Sequence, residues 1–442
     1  MRAFVVVWAG QLVSITGTML TGFGLQLYVF VETGSVTKLT FVALAYALPA
    51  VVLAPLAGSV ADRLDRRTVM LVSDVVAAAA TLTLLVALAG NSLEFWLIYL
   101  ATGLSSAANT FQDPAWTASI PVLVPRSQLG RANGMVQLNQ GLAIVVAPAL
   151  AGALLTTVGL AGVLIADIVS FAIGVLTLAL VRFPPFTPTG NVDRSVRADS
   201  RFAWKYLRER PGLLGMLWIY SGVNFMLSMT NVLIIPLILS FSTESAAGAV
   251  LSAAGIGAVV GSVAVGIFGE PKRLVRTIMG GIAVSGVLLA LSGTRESLVV
   301  IAVPSVLLLL LMPIVNSASQ VVWQTKVEEG VQGRVFSLRR MIGQAISPLA
   351  IFMAGPLSDR VFEPAMDAGG PLADSVGALI GIGPGRGIGL LYIVAGLATA
   401  GLGMVGWSLR HVRNIETELP DVAGRPDADP SAAPESEHAI GN

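Results

Sequence analysis

The stretch Gly58-Ser59-Val60-Ala61-Asp62-Arg63-Leu64-Asp65-Arg66-Arg67 lies between two long apolar runs, residues 40–57 and 68–89. A bilayer core needs about 20 apolar residues per helix, so both runs are long enough to span one. A short basic connector between two spanning runs stays in the cytoplasm, because Lys and Arg resist translocation. That places a cytoplasmic hairpin near the N-terminus and sets the orientation of everything after it.

The rest of the chain agrees with a membrane setting. Of its 442 residues, 55% are hydrophobic and 12% charged, with a mean hydropathy of +0.79. A soluble domain carries about 25% charged residues. Twelve runs have spanning length: 4–30, 38–59, 68–89, 93–113, 132–156, 160–181, 212–240, 246–268, 277–293, 297–322, 337–357 and 387–409. They lack the alternation of barrel strands and exceed their length, so helices are expected. The first run is far longer than the core of a secretory signal. With both termini inside, 23 of the 27 Lys and Arg residues fall on the cytoplasmic side, leaving Lys38, Arg295, Arg360 and Arg386 outside. That asymmetry fixes the topology. The expected fold is an all-α membrane protein with twelve transmembrane helices in two pseudo-symmetric six-helix bundles around a central cavity.

The domain reading follows the charge map. Residues 1–182 form the first bundle and 212–410 the second. Between them, 183–211 is a cytoplasmic linker, Pro-rich at first. It then carries Phe202, Trp204, Tyr206 and Leu207 among basic residues, the composition of a helix lying in the lipid interface. A solvated charged linker is the alternative. The tail, 411–442, is rich in Pro, Ala, Asp and Glu and is expected to be disordered in the cytoplasm. Weak internal repeats support a duplication: Gly58-Ser-Val-Ala and Gly261-Ser-Val-Ala, Gly130-Arg131 and Gly333-Arg334, Ala151-Gly152 and Ala354-Gly355 all differ by 203 positions. Asn109 and Trp116 recur as Asn316 and Trp323 at an offset of 207.

Polar residues inside the runs are the candidate site. The first run carries Gln11, Ser14, Thr18 and Thr21, spaced 3, 4, 3, and the seventh carries Ser221, Asn224, Ser228 and Asn231 with the same spacing. The fourth run shows Thr102, Ser105, Asn109 and Gln112; the tenth shows Asn316, Ser319 and Trp323. Such stripes avoid lipid. They can glue helices together or line a wet cavity, and four stripes at equivalent places favour the cavity. Gly10, Gly17 and Gly24 form a separate close-packing stripe. Asp74 and Asp167 lie well inside the spans and are candidates for proton coupling. Asp74 has a structural alternative, pairing with the basic loop around Arg67.

Other chemistries are excluded. The chain has no Cys and two His, so a thiolate metal site is ruled out and a histidine one disfavoured; no metal is expected. No Gly-Lys-Ser/Thr occurs, so there is no Walker A site, and no cofactor is expected. A net charge of +1 gives no case for nucleic acid.

The Gly58–Arg67 stretch resembles the helix 2–3 loop signature of the major facilitator superfamily, Gly-x-x-x-Asp-Arg-x-Gly-Arg-Arg. Gly58, Asp62, Arg63, Arg66 and Arg67 match it. Asp65 stands where that family has Gly, at a position expected to favour left-handed backbone, which Asp tolerates. Gly-Arg-Val-Phe-Ser at 333–337 and Ala-Gly-Pro-Leu-Ser-Asp-Arg at 354–360 bring the chain closest to the twelve-helix group of macrolide and siderophore exporters. The Gly/Pro-rich stretch around Pro148 loosely resembles the helix 5 motif of antiporters, with Ala147 and Ala151 in place of glycines. The resemblance implies a cavity lined by helices 1, 4, 7 and 10, and a gate latch made by Asp62 and the following arginines. It also implies proton-coupled export of a medium-sized amphiphilic compound from a bacterial cytoplasm across the inner membrane. Expected partners are that small molecule, protons and membrane lipids, with the chain acting as a monomer. Uptake symport or facilitation is the runner-up. An integral-membrane enzyme ranks lower, for want of a nucleophile–base pair.

Overall fold

The computed structural model describes residues 1–125, 128–181, 183, 196–269 and 271–420. Arg126, Arg182, most of the Pro-rich linker, the tail from 421 and the side chain of Asp62 lie outside the described residues. Regular structure among the described residues is helical throughout.

The N-terminal half contains α1 (Arg2–Thr33), α2 (Val36–Arg63), α3 (Arg66–Ala89), α4 (Phe95–Leu123) and α5 (Leu129–Leu180). The last is 52 residues long and contains one non-helical residue, Gly159, at φ 69 and ψ −172. A positive φ of this kind favours glycine, and here it reverses the chain. Trp8 donates to the Met135 carbonyl at 2.7 Å near one end of α1, where Gly10 also meets Thr177. Gly24, at the other end, meets Val163. Residues 135 and 177 therefore sit at one level, and α5 is two antiparallel arms. The break falls at Gly159 and Pro148 stays within the first arm, so the expected boundary between the fifth and sixth spans holds.

The C-terminal half contains α7 (Pro211–Leu239), α8 (Glu244–Phe268), α9 (Leu274–Ser292), α10 (Leu298–Lys326), α11 (Glu329–Leu357) and α14 (Arg386–Ser408). Among the described residues, ten helices are long and apolar enough to cross a membrane. Counting both arms of α5 and adding the more polar α4 gives twelve spans. Several overrun their apolar runs towards the basic loops, α4 to Leu123 and α11 from Glu329, because helical hydrogen bonding continues past the hydrocarbon edge into the interface. This draws Asp113 and Arg339 into the helices, so Asp74 and Asp167 are not alone there.

The halves meet along two crossings, α5 with α8 and α2 with α11. The 203-residue repeat is visible in both. A Cβ on Gly152 would lie 2.7 Å from the Glu244 carbonyl oxygen, and one on Gly355 would lie 2.6 Å from the Thr37 Cα. Small residues let the backbones approach. The Gly58 and Gly261 pair behaves differently: Gly261 is pressed against Leu310, whereas Gly58 has nothing within 4 Å.

Two segments depart from expectation. Helix α6 (Val196–Arg208) packs part of its apolar face on the C-terminal half, while Phe202 stays exposed. Ala203, Tyr206 and Leu207 are buried with Leu213, Val335 and Leu338 of the C-terminal half, and Arg334 pairs with Asp199 at 3.1 Å. The tail is folded as far as residue 420, through α15 (Arg410–Arg413) and α16 (Ile415–Glu418). Val412 and Ile415 are buried, and Lys326 Nζ donates to the carbonyls of Glu416 at 2.9 Å and Leu419 at 2.6 Å.

At the end opposite the basic loops, the long connection holds a π-helical turn (Ser358–Phe362), α12 (Glu363–Met366) and α13 (Gly377–Ile380). The Gly-Ile-Gly-Pro-Gly run has positive φ at Gly381, Gly383 and Gly385, so its glycines serve a tight turn rather than a phosphate. Arg386 is buried and pairs with Glu296 at 2.9 Å. Glu363 accepts from the amides of Gly385 and Ile388 at the start of α14.

Candidate functional site

A cavity of about 490 Å³ is lined wholly by the C-terminal half: Tyr220, Asn224 and Ser228 of α7, Asn316 and Gln320 of α10, and Phe336, Arg339, Arg340, Gln344 and Ser347 of α11. A second chamber of about 480 Å³ shares Asn224, Ser228 and Ser347 with it and reaches Gln26 of α1 and Ala43, Tyr46 and Ala47 of α2. The two are one continuous space between the bundles.

This space is closed at one end. Asp359 accepts from Ser35 Oγ at 3.0 Å and from the amides of Val36 at 3.2 Å and Thr37 at 2.9 Å, tying the start of α2 to the end of α11. A carboxylate at a helix N-terminus satisfies otherwise orphaned amides and complements the helix dipole. At the basic end, Gly58, Gly130, Gly134, Gly266 and Gly333 have no neighbour within 4 Å of a would-be Cβ. The crossings are thus tight at Gly152 and Gly355, towards the end opposite the basic loops (the acidic end), whereas these five glycines meet no neighbour.

The four expected stripes divide. Asn224, Ser228 and Asn231 line the chambers, as do Asn316 and Ser221. Ser221 is nevertheless largely buried and donates to the Leu217 carbonyl. Ser319 and Trp323 sit behind Arg339, which donates to Ser319 Oγ at 3.1 Å and lies 4.9 Å from the Trp323 ring. The α1 stripe turns the other way. Gln11, Ser14 and Thr21 are buried inside the N-terminal bundle. Thr18, Thr21 and Ser105 border a void of about 30 Å³ beside Asp167. Asn109 is half-buried on α4, outside both chambers.

The reason for that turn is the pair of carboxylates. Asp74 is fully buried; its Oδ1 accepts from Gln112 Nε2 at 2.9 Å and Ser14 Oγ at 3.4 Å. The same Gln112 Nε2 also donates to Gln11 Oε1 at 3.1 Å. Asp167 is equally buried, and its Oδ2 accepts from Thr81 Oγ1 at 2.9 Å. An isolated buried charge is costly, so neutral donors gather around it. The alternative of an Asp74–Arg67 pair is corrected: Arg67 donates instead to the carbonyls of Leu178 at 2.9 Å and Ala179 at 2.8 Å.

In the basic loop, Arg66 donates to the Ala118 carbonyl at 2.8 Å, so Arg66 and Arg67 hold the loop to its own bundle. Arg63 is exposed, and Gly58 is open to space. Asp65 does not occupy left-handed backbone. At φ −60 and ψ 120 it is the N-cap of α3, accepting from the Thr68 amide at 3.1 Å and hydroxyl at 2.8 Å. Asp is among the best residues for that role.

Sequence reading missed the α11 face: Phe336, Arg339, Arg340, Gly343, Gln344 and Ser347. Its arginines, at the start of the run 337–357, counted only towards the charge asymmetry. The 4, 4 spacing of Arg339, Gly343 and Ser347 was the available signal. Among the described residues, no group of three or more His, Asp or Glu converges as metal ligands would.

The profile of the Major Facilitator Superfamily matches residues 7–351. Macrolide efflux protein A of Streptococcus pyogenes is 26% identical over 371 residues, covering 81% of this chain and 90% of that protein. Multidrug efflux pump Tap of Mycolicibacterium fortuitum is 23% identical over 346 residues, covering 74% and 82% respectively. Among solved structures, a mutant of the nucleoside transporter NupG has a TM-score of 0.70 at 13% identity, covering 91% of this chain and 99% of that one. An inward-facing bacterial homologue of the iron transporter ferroportin has a TM-score of 0.68 at 17% identity, covering 92% and 99%. At those identities the structural likeness speaks to the fold alone.

Proposed function

The chain belongs to the Major Facilitator Superfamily, and from that premise we propose that it exports medium-sized amphiphilic organic compounds by alternating access, in exchange for protons. The observation that carries this reading is the space between the bundles, polar on α7, α10 and α11 and reaching α1 and α2. The named relatives are efflux proteins for macrolides and other drugs, and the cavity mixes amide, hydroxyl and apolar walls as such cargo requires. The basic end is the cytoplasmic one by the positive-inside rule, which puts both termini in the cytoplasm of a bacterium and opens the site to cargo from within.

In this scheme Asn224, Ser228, Asn231 and Asn316 contact the substrate, joined by Tyr220, Gln320, Gln344 and Ser347. Asp74 and Asp167 carry the coupling proton. Asp74 Oδ2 and Gln11 Nε2 are buried without a hydrogen-bond partner; a proton on Asp74 would let the cluster re-pair as the bundles rock. Gly58, Asp62, Arg63, Arg66 and Arg67 form the cytoplasmic latch, engaged when the acidic end opens and released when it closes. The protein acts as a monomer within its lipid, since one chain contains the whole route.

The test is accumulation of a chemically diverse panel in cells expressing the chain, with and without a protonophore. Lower accumulation that reverts when the proton gradient collapses is expected. Net uptake that ignores the protonophore would overturn the reading in favour of a facilitator.

A further inference from the structure

Arg339 lies within α11, wedged against aromatic rings at 4.9 Å from Trp323 and 6.0 Å from Tyr220. Its polar partners are neutral: Ser319 Oγ at 3.1 Å and Gln320 Oε1 at 3.2 Å. Arg340 follows it, exposed to the same chamber. No Asp or Glu lines either chamber. Other arginines of this half have a carboxylate: Arg334 pairs with Asp199 at 3.1 Å, Arg210 with Glu328 at 3.1 Å and Arg386 with Glu296 at 2.9 Å. Arg339 and Arg340 instead face a cavity whose lining holds no Asp or Glu.

A topological anchor needs only to sit at the basic end. It does not need to be laid against an indole and held by neutral acceptors, an arrangement that orients the guanidinium while leaving its charge unneutralised. A guanidinium has five N–H donors, of which these contacts use two. Two adjacent cations in a cleft focus a positive field on whatever enters.

We propose that Arg339 and Arg340 form an anion subsite, and that the cargo is an amphiphile bearing one carboxylate or sulfonate. This rests on reading the cavity as the transport route, and narrows its substrate class. The acidic group sits against the two arginines near the mouth. The apolar body extends past Asn224 and Ser228 into the inner chamber, between Ala47 and Ile351.

The test uses two probes that share a body and differ in charge, anilinonaphthalene sulfonate and N-phenylnaphthylamine, with ethidium as the cation. Binding to the full-length purified protein is read by quenching of tryptophan fluorescence, and transport by uptake into inverted membrane vesicles. The sulfonate should bind about tenfold more tightly than its neutral twin, the scale of a charge-assisted hydrogen bond. That ratio should fall to near one in Arg340→Gln and recover in Arg340→Lys. Because Arg340 is exposed, its replacement leaves packing intact; Arg339→Gln provides a second variant, with the same loss expected. A ratio unmoved by either substitution, or a preference for ethidium, overturns the anion subsite. Arginine-dependent sulfonate binding without any vesicle uptake supports the subsite and sinks only the export reading.

Discussion

Helices α1 and α7 carry polar stripes with the same spacing, at equivalent places in the two halves, yet they face different surroundings. On α7, Asn224, Ser228 and Asn231 face the cavity between the bundles. On α1, Gln11 and Ser14 point into their own bundle, towards Asp74. Spacing establishes that residues share a face, but not which way that face turns. What turns it is the demand of the neighbours. A carboxylate buried on α3 and another on the second arm of α5 need donors: Ser14 of α1 joins Gln112 of α4 on Asp74, and Thr81 of α3 serves Asp167. None of the described carboxylates lies in the corresponding part of the C-terminal bundle interior, so the α7 stripe is free to serve the cavity. One half holds its polarity dry; the other exposes it.

The sharpest way to break this contrast is to neutralise the dry side. Asp74→Asn keeps the shape and most of the hydrogen bonding while removing the titratable group. If the N-terminal cluster is the coupling device, transport driven by an imposed pH gradient should fall by at least about tenfold, equivalent to about 1.4 kcal/mol or more on the rate-limiting step. Exchange of substrate against substrate, with no gradient, should persist. Asp167→Asn should behave alike if both carboxylates participate. Gradient-driven transport at the original rate in both variants would reduce the cluster to packing glue.

The seal at the acidic end joins the two halves, and it can be loosened selectively. Gly152→Val would push a side chain into the Glu244 carbonyl, which lies 2.7 Å from the Cβ position. Overpacking of that kind costs about 1–3 kcal/mol, and only in the sealed state. The chain lacks cysteine, so a single Ala43→Cys reports on the inner chamber alone. Its labelling by an impermeant maleimide from the acidic side should rise about tenfold in the Gly152→Val background. Asp359→Asn weakens an acceptor shared by Ser35, Val36 and Thr37. It should act in the same direction by about 1 kcal/mol, a few-fold in labelling rate. Unchanged labelling in both would mean that the seal lies elsewhere.

Much of the fold could be read from residues 40–89 and the distribution of Arg and Lys, because span length and charge asymmetry are one-dimensional properties. Gly159 sits at the predicted boundary of two spans for the same reason. The site was legible only in part. Asn224, Ser228, Asn231 and Asn316 line the cavity. Arg339 and Arg340 were hidden because a basic pair at a helix end looks the same whether it faces water or a cleft. On α6, Tyr206 and Leu207 suit lipid or protein equally by composition, and only the C-terminal bundle beneath them shows where these two are buried. The tail was taken as disordered from its composition, yet Val412, Ile415 and the Lys326 Nζ contacts hold its first part. Three anchors within ten residues are too few to register in a compositional average.

The smallest effects separate the two stripes most directly. Asn224→Ala removes an amide from the wall of both chambers, and Ser14→Ala removes a donor to a buried carboxylate. Each loss is worth about 1 kcal/mol, but it should appear in different measurements. Asn224→Ala should weaken substrate binding by about fivefold at an unchanged melting temperature, because its amide is solvated in the empty cavity. Ser14→Ala should leave affinity alone and lower the melting temperature by about 2 °C, the scale expected when so large a chain loses that much stability. Measuring both quantities on both variants gives a two-by-two comparison. A crossed result, with Ser14→Ala weakening binding and Asn224→Ala lowering stability, would mean that the stripes face the opposite way.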